Sequence, residues 1–210
     1  MRSPCPHASR GSTSWVHLPE LPSQARSSDE GERFQELLDW ITAFITAPHA
    51  SLPRSGAVCP FVQPALQRDT VWVRLARDVG DDLNRLHDVL QCEANRFASH
   101  PPSSEDPNHV FKALLLCFPD LPDKNAGVLK TLRRQAKADL LAMGLTCGEF
   151  YPGNPDRSVH TDALLVADSP VPFLALRPLA RHDQLFLKGT PLYSHYQTWR
   201  ARRATGEAPS

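Results

Sequence analysis

Five consecutive apolar residues, Ala113–Cys117 in "VFKALLLCFP", leave no polar face for water. A strand of that kind is buried on both sides, so it belongs inside a sheet that carries covering elements on each face. The run "VPFLAL", Val171–Leu176, has the same character. Two such strands commit the chain to an internal sheet wrapped by helices. At 210 residues it is long enough to build the core this requires.

The covering elements are legible as periodic segments. In "SSDEGERFQELLDWITAFITAP", Phe34, Leu37, Leu38, Ile41, Phe44 and Ile45 recur at helical spacing, with Ser28 or Asp29 as cap and Pro48 as stop. Pro60 opens a short helical turn carrying Phe61, Val62 and Leu66. "TVWVRLAR" alternates as a strand over Thr70–Arg77. The segment from Gly80 is a helix with Leu83, Leu86, Leu90 and Phe97 on its buried stripe, and Val110–Phe118 is the interior strand. A helix using Leu129, Leu132, Ala136, Leu140 and Met143 stops at Gly144. "LTCGEFYP" is a short strand, residues 153–169 a polar loop, and "TPLYSHYQTWRARR" the last helix.

Strands alternating with helices, then two neighbouring strands, predict a single α+β domain over residues 29–204, with a mixed sheet of about four strands covered by helices. Residues 1–28, rich in Ser, Pro and Arg, read as a flexible arm or an irregular wrap, and residues 205–210 as a disordered tail.

Composition narrows the function. Lysine plus arginine equals aspartate plus glutamate at 23 each, so no net field draws the chain to nucleic acid or an anionic membrane. The basic stretch "WRARRATG" suits a solvated helix end. No apolar run reaches the ~20 residues that span a bilayer. Cys5, Cys59, Cys92, Cys117 and Cys147 are odd in number, with no CxxC pair and no signal peptide before them. That pattern is expected of reduced thiols in the cytoplasm. There is no GxGxxG, no GxxxxGK[ST], no zinc spacing and no nucleophile elbow.

Three constellations remain. "RPLARHD" places Arg177, Arg181, His182 and Asp183 between two apolar segments. A neutral imidazole there can ligate a metal or haem iron, and the arginines can clamp a carboxylate. A solvated helix start is the competing reading. Cys59, before Pro60, is either a sulfur ligand or a small buried hydrophobe. In "CGEFYPGNPDRSVH", Gly148 and Gly153 bracket Glu149 and Tyr151, the candidates for catalytic groups. Glu149 serves as proton acceptor or bonds a substrate amine, unless it lies on the solvent face of an edge strand. The polar loop after it fits a lid.

The order "VCPFVQPALQRDTVWVRL", "ALLLCFPDLP" and "SPVPFLALRPLARHDQLFL" remotely resembles the YqcI/YcgG family. The CPFV, FYPG and RHD pattern is similar also to an uncharacterised bacterial family of unknown activity, often encoded beside secondary-metabolite genes. The first resemblance implies a haem-dependent oxygenase that hydroxylates nitrogen on a small amino-acid-like metabolite, with His182 as proximal ligand and Arg177 or Arg181 on a propionate. The other expectation is a non-catalytic binding or accessory module of a biosynthetic pathway, recognising a carboxylate ligand or a partner protein. The oligomeric state is left open.

Overall fold

The computed structural model describes residues 14–205. Its strands are β1 (Val16–His17), β2 (Val71–Leu75), β3 (Ala113–Cys117), β4 (Leu145–Phe150), β5 (Arg157–Ser158), β6 (Thr161–Leu165) and β7 (Phe173–Pro178). The α-helices are α1 (Ser28–Asp39), α2 (Val62–Gln67), α3 (Leu83–Ser99), α4 (Val128–Ala142), α5 (Gln184–Leu187) and α6 (Tyr193–Thr205).

The α+β expectation holds, with one more strand in the sheet than foreseen: five, in the order β1-β2-β3-β7-β4. β2 and β3 run parallel through the α3 crossover, and β7 lies antiparallel between β3 and β4. The two all-apolar runs are therefore the central neighbours, which is the position their composition demands. On one face α3 and α4 pack Leu86, Leu90, Phe97, Leu129 and Leu132 over Leu114, Leu116, Leu174 and Leu176. On the other, α1 and α2 lay Phe34, Leu37 and Ala65 over Val73, Leu115 and Phe173. Each fully buried Leu or Phe contributes about 1.5–3 kcal/mol relative to exposure.

Several boundaries differ from the sequence reading, each for a local reason. The first helix is α only to Asp39 and continues as a π-helical segment, Trp40–Ile45. Asp106 caps a 3-10 turn over Pro107–Phe111, so β3 starts at Ala113 and not at Val110. The loop after β4 contains the β5–β6 hairpin. Of the two readings of the arm, the wrap describes residues 14–27. Val16 and His17 pair with β2, and Leu18 and Leu21 are fully buried from a 3-10 turn. Residues 1–13 and the tail from 206 lie outside the described residues. Cys92 is disulfide-bonded, against the expectation of reduced thiols, whereas Cys59, Cys117 and Cys147 are free.

Capping explains the helix starts. Ser27 accepts from the Glu30 N–H, and Asp82 accepts from the Asn84 and Arg85 N–H groups. α4 ends at Gly144, whose φ of +72° favours glycine and whose Cβ would stand 3.2 Å from the Trp199 ring of α6. No helix among the described residues is long and apolar enough to cross a membrane.

Candidate functional site

β4 alternates its side chains between the two faces. Leu145 and Cys147 join the core under α4, whereas Phe150 joins the core under α1. Glu149 faces α4, is only 5 % exposed, and forms an ion pair through Oε2 with Arg133. One turn earlier on α4, Lys130 reaches Asp156 at the foot of the hairpin, Nζ to Oδ1 2.6 Å. One turn later comes Lys137. Residues 130, 133 and 137 are three and four apart, so they form one stripe along α4 facing the β4 edge.

The stripe is a ladder with an incomplete third rung. Lys130 has Asp156 and Arg133 has Glu149, but Lys137, half-buried, forms no hydrogen bond or ion pair with the described residues. Burial pulls its ammonium below the ordinary lysine range, and neighbouring Arg133 lowers it further. Beside it, burial pushes the Cys147 thiol up to about 12, so the sulfur is uncharged at neutral pH and supplies no counter-ion. The second oxygen of Glu149, Oε1, is buried without a hydrogen-bond partner. A half-buried cation and a buried acceptor thus stand together, and neither satisfies the other.

The hairpin joins this edge through a few bonds. Asn154, fully buried, donates from Nδ2 to the Glu149 carbonyl at 3.2 Å and accepts the Asp156 N–H at Oδ1. Gly153 turns the chain at φ +74° and donates its N–H to Asp168. Tyr151 lies on the same side, 8 % exposed in the core, its phenol raised by burial. Glu149 and Tyr151 are therefore brought together, as a polar edge of the α4 core.

His182, Arg177 and Cys59 belong to the opposite face. Phe61 joins two of them: the Arg177 guanidinium stacks 5.0 Å from its ring centre, and the His182 ring meets it edge-on at 6.4 Å. Cys59, two residues before Phe61, is half-buried and donates its N–H to Ile45. Arg177 is fully engaged with the buried Asp183, through Nη1 to Oδ2 at 2.9 Å and Nη2 to Oδ1 at 2.5 Å. Asp183 also accepts the Ala180 N–H, fixing the start of the turn into α5. Arg181 and His182 are exposed, and the Arg181 carbonyl accepts from the Tyr196 hydroxyl. The helix-start reading of this cluster accounts for Asp183 and Arg177. His182 lies at the surface, so no buried imidazole stands at the end of β7. In this arrangement His182 is exposed and Arg177 is held by Asp183, so both would have to move to hold a haem and its propionate. Among the described residues, no three His, Cys, Asp or Glu side chains are arranged to hold a metal ion.

A cleft of about 280 Å³ opens elsewhere, where the C-terminal ends of β2 and β3 meet the start of α1. Arg26, Arg33, Arg77, Glu30 and Asp120 line it. Its charges are mostly mutual. Arg77 pairs with both oxygens of Glu30 at 2.5 and 3.0 Å, and Arg33 bonds Asp123 and the Pro170 carbonyl. Burial works to raise the Glu30 carboxyl, but Arg77 and the Arg26 N–H outweigh it and hold it low. The cleft is a seam tying α1 to the sheet.

Sequence reasoning reached Glu149 and Tyr151 and missed Arg133, Lys137 and Cys147. The signal was present in the charged stripe of α4 at positions 130, 133 and 137, but only a known β4 neighbour gives that stripe something to face. The family model described as "Domain of unknown function (DUF6875)" matches residues 34–207, so the chain belongs to that family. No curated protein and no solved structure matches it. The matched segment contains the whole ladder, whereas Arg26, Glu30 and Arg33 of the cleft precede it.

Proposed function

We propose that this member of the DUF6875 family is a binding module for a small carboxylate-bearing metabolite, held at the α4–β4 edge, without redox chemistry. One observation carries the reading: of the three cations of the stripe, Lys137 alone forms no ion pair among the described residues, although Glu149 stands near it. A ligand carboxylate completes the rung. It gains a charge-assisted hydrogen bond from an ammonium already partly stripped of water, and Arg133 adds positive potential beside it. The ligand belongs to a biosynthetic pathway, the setting suggested by proteins that share the CPFV, FYPG and RHD pattern.

The test is calorimetric titration of the full chain with small mono- and dicarboxylates, succinate and malate among them. Saturable binding is expected, weakened about tenfold or more in Lys137→Ala, since a hydrogen bond to a charged group is worth about 1.5–3 kcal/mol. Arg26→Ala, at the rim of the other cleft, leaves it unchanged. Absence of saturation, or equal loss in both variants, overturns the reading.

A second reading, haem-dependent N-hydroxylation of an amino-acid-like metabolite, rests on the meeting of Arg177 and His182 at Phe61, together with the YqcI/YcgG likeness. It requires His182 to leave solvent and Arg177 to leave Asp183. Haemin titration decides it: a Soret shift abolished by His182→Ala supports it, and an unshifted spectrum removes it.

A further inference from the structure

The acceptor beside Lys137 says more about the ligand. We propose that the metabolite carries a hydroxyl next to its carboxylate, as a 2-hydroxy acid does, and that this hydroxyl donates to Glu149 Oε1 while the carboxylate pairs with Lys137. The inference rests on the carboxylate reading above and narrows its substrate class.

Three observations lead there. Glu149 Oε1 is buried and has no donor, although a buried carboxylate oxygen ordinarily has at least one. Arg133 is ion-paired through Nε with the other oxygen, and the Asn154 amide bonds the Glu149 main-chain carbonyl, so in this arrangement neither donates to Oε1. The charge at the rung selects the kind of donor. Arg133 and Lys137 outnumber Glu149, so an incoming ammonium meets net repulsion, whereas a neutral O–H does not. A hydroxy acid brings both missing groups, an anion for Lys137 and a neutral donor for Oε1, on adjacent carbons.

Access is the remaining requirement. Entry to Oε1 requires the half-buried Lys137 stem to move aside, and no hydrogen bond or ion pair among the described residues holds that stem in place. The neutral Cys147 thiol lies alongside and adds no charge of its own.

Matched pairs read this directly in the unmodified protein: malate against succinate, lactate against propionate, and aspartate as the amine-bearing counterpart. The hydroxylated member of each pair is expected to bind about tenfold more tightly, the gain for one hydrogen bond to a charged acceptor. Aspartate is expected to bind more weakly than malate. In Glu149→Gln the amide oxygen stays on Arg133 and Nε2 takes the place of Oε1, so the preference disappears while carboxylate binding through Lys137 persists. Equal affinity for malate and succinate, the outcome if a buried water already satisfies Oε1, overturns this inference and leaves the carboxylate reading standing. Tighter binding of aspartate also overturns it. If no carboxylate binds at all, both readings fall together.

Discussion

The two faces of the sheet at its β4–β7 edge carry comparable charges arranged to opposite ends. Under Phe61, Arg177 and Asp183 bond each other twice, Asp183 takes the Ala180 N–H, and the remaining groups point into water. Under α4, Lys130 and Arg133 find acids but Lys137 does not, and Glu149 keeps one oxygen without a donor. The first set is compact in sequence and complete in space. The second is scattered over α4, β4 and the hairpin, and incomplete. Density of charged residues along the chain marked the face whose charges are already paired. What sets the α4 face apart is a buried group left without its partner.

This contrast is broken most directly by removing a cation from each face. Arg133→Ala and Arg177→Ala each leave a nearly buried carboxylate alone, Glu149 and Asp183 respectively, and each is expected to cost about 3–5 kcal/mol in chemical denaturation. A loss under about 1 kcal/mol at either would place that pair among ordinary surface ion pairs.

Lys112 gives the next comparison, because it is a buried lysine whose needs are met. Its ammonium donates to the Phe97 and His100 carbonyls at 3.0 and 2.5 Å, closing the C-terminus of α3. Lys112→Met is expected to cost about 1–3 kcal/mol, since those carbonyls lose their donor. Burial lowers the Lys112 pKa to about 8 from an ordinary 10.5. Between those values the unfolded chain holds a proton that the folded chain has released, so stability rises with pH across that window. Below about 8 both states are charged and this slope vanishes. Urea midpoints taken through the interval, with Lys112→Met as the flat control, check the sign.

Smaller effects sharpen the picture further. Gly144→Ala must hold a side chain at positive φ and press it against Trp199, an expected loss of about 1 kcal/mol or more in thermal unfolding. Lys137→Ala should change stability by less than about 0.5 kcal/mol, as for a surface substitution with no bonds to lose. Its effect belongs to binding. A large stability loss there would show that Lys137 has a structural partner and that the third rung is not open.

Much of the fold was legible because the apolar runs Ala113–Cys117 and Val171–Leu176 admit only interior positions, and because the helical stripes repeat cleanly. The placement of β7 between β3 and β4 was not, since strand order depends on crossovers that periodicity does not encode. The β5–β6 hairpin hid in a polar segment with little alternation. The burial of Leu18 and Leu21 was hidden by their proline- and serine-rich surroundings. At the candidate site, Glu149 and Tyr151 were visible from the bracketing glycines, but their partners on α4 were not, because a long-range pair leaves no mark in local spacing. The exposure of His182 was not legible for a related reason: a strand ending in charged residues looks the same whether the next turn folds inward or outward.

The slot filled by β7 has a consequence for assembly. β4, which carries Glu149, meets the rest of the sheet only through β7, and β7 is made some two dozen residues later. On the ribosome, the strand bearing Glu149 therefore waits at an open flank until the last strand inserts beside it, a long-range closure that is slow by nature. Any truncation that ends before Phe173 removes β7 and with it the only strand that pairs with β4 in the sheet.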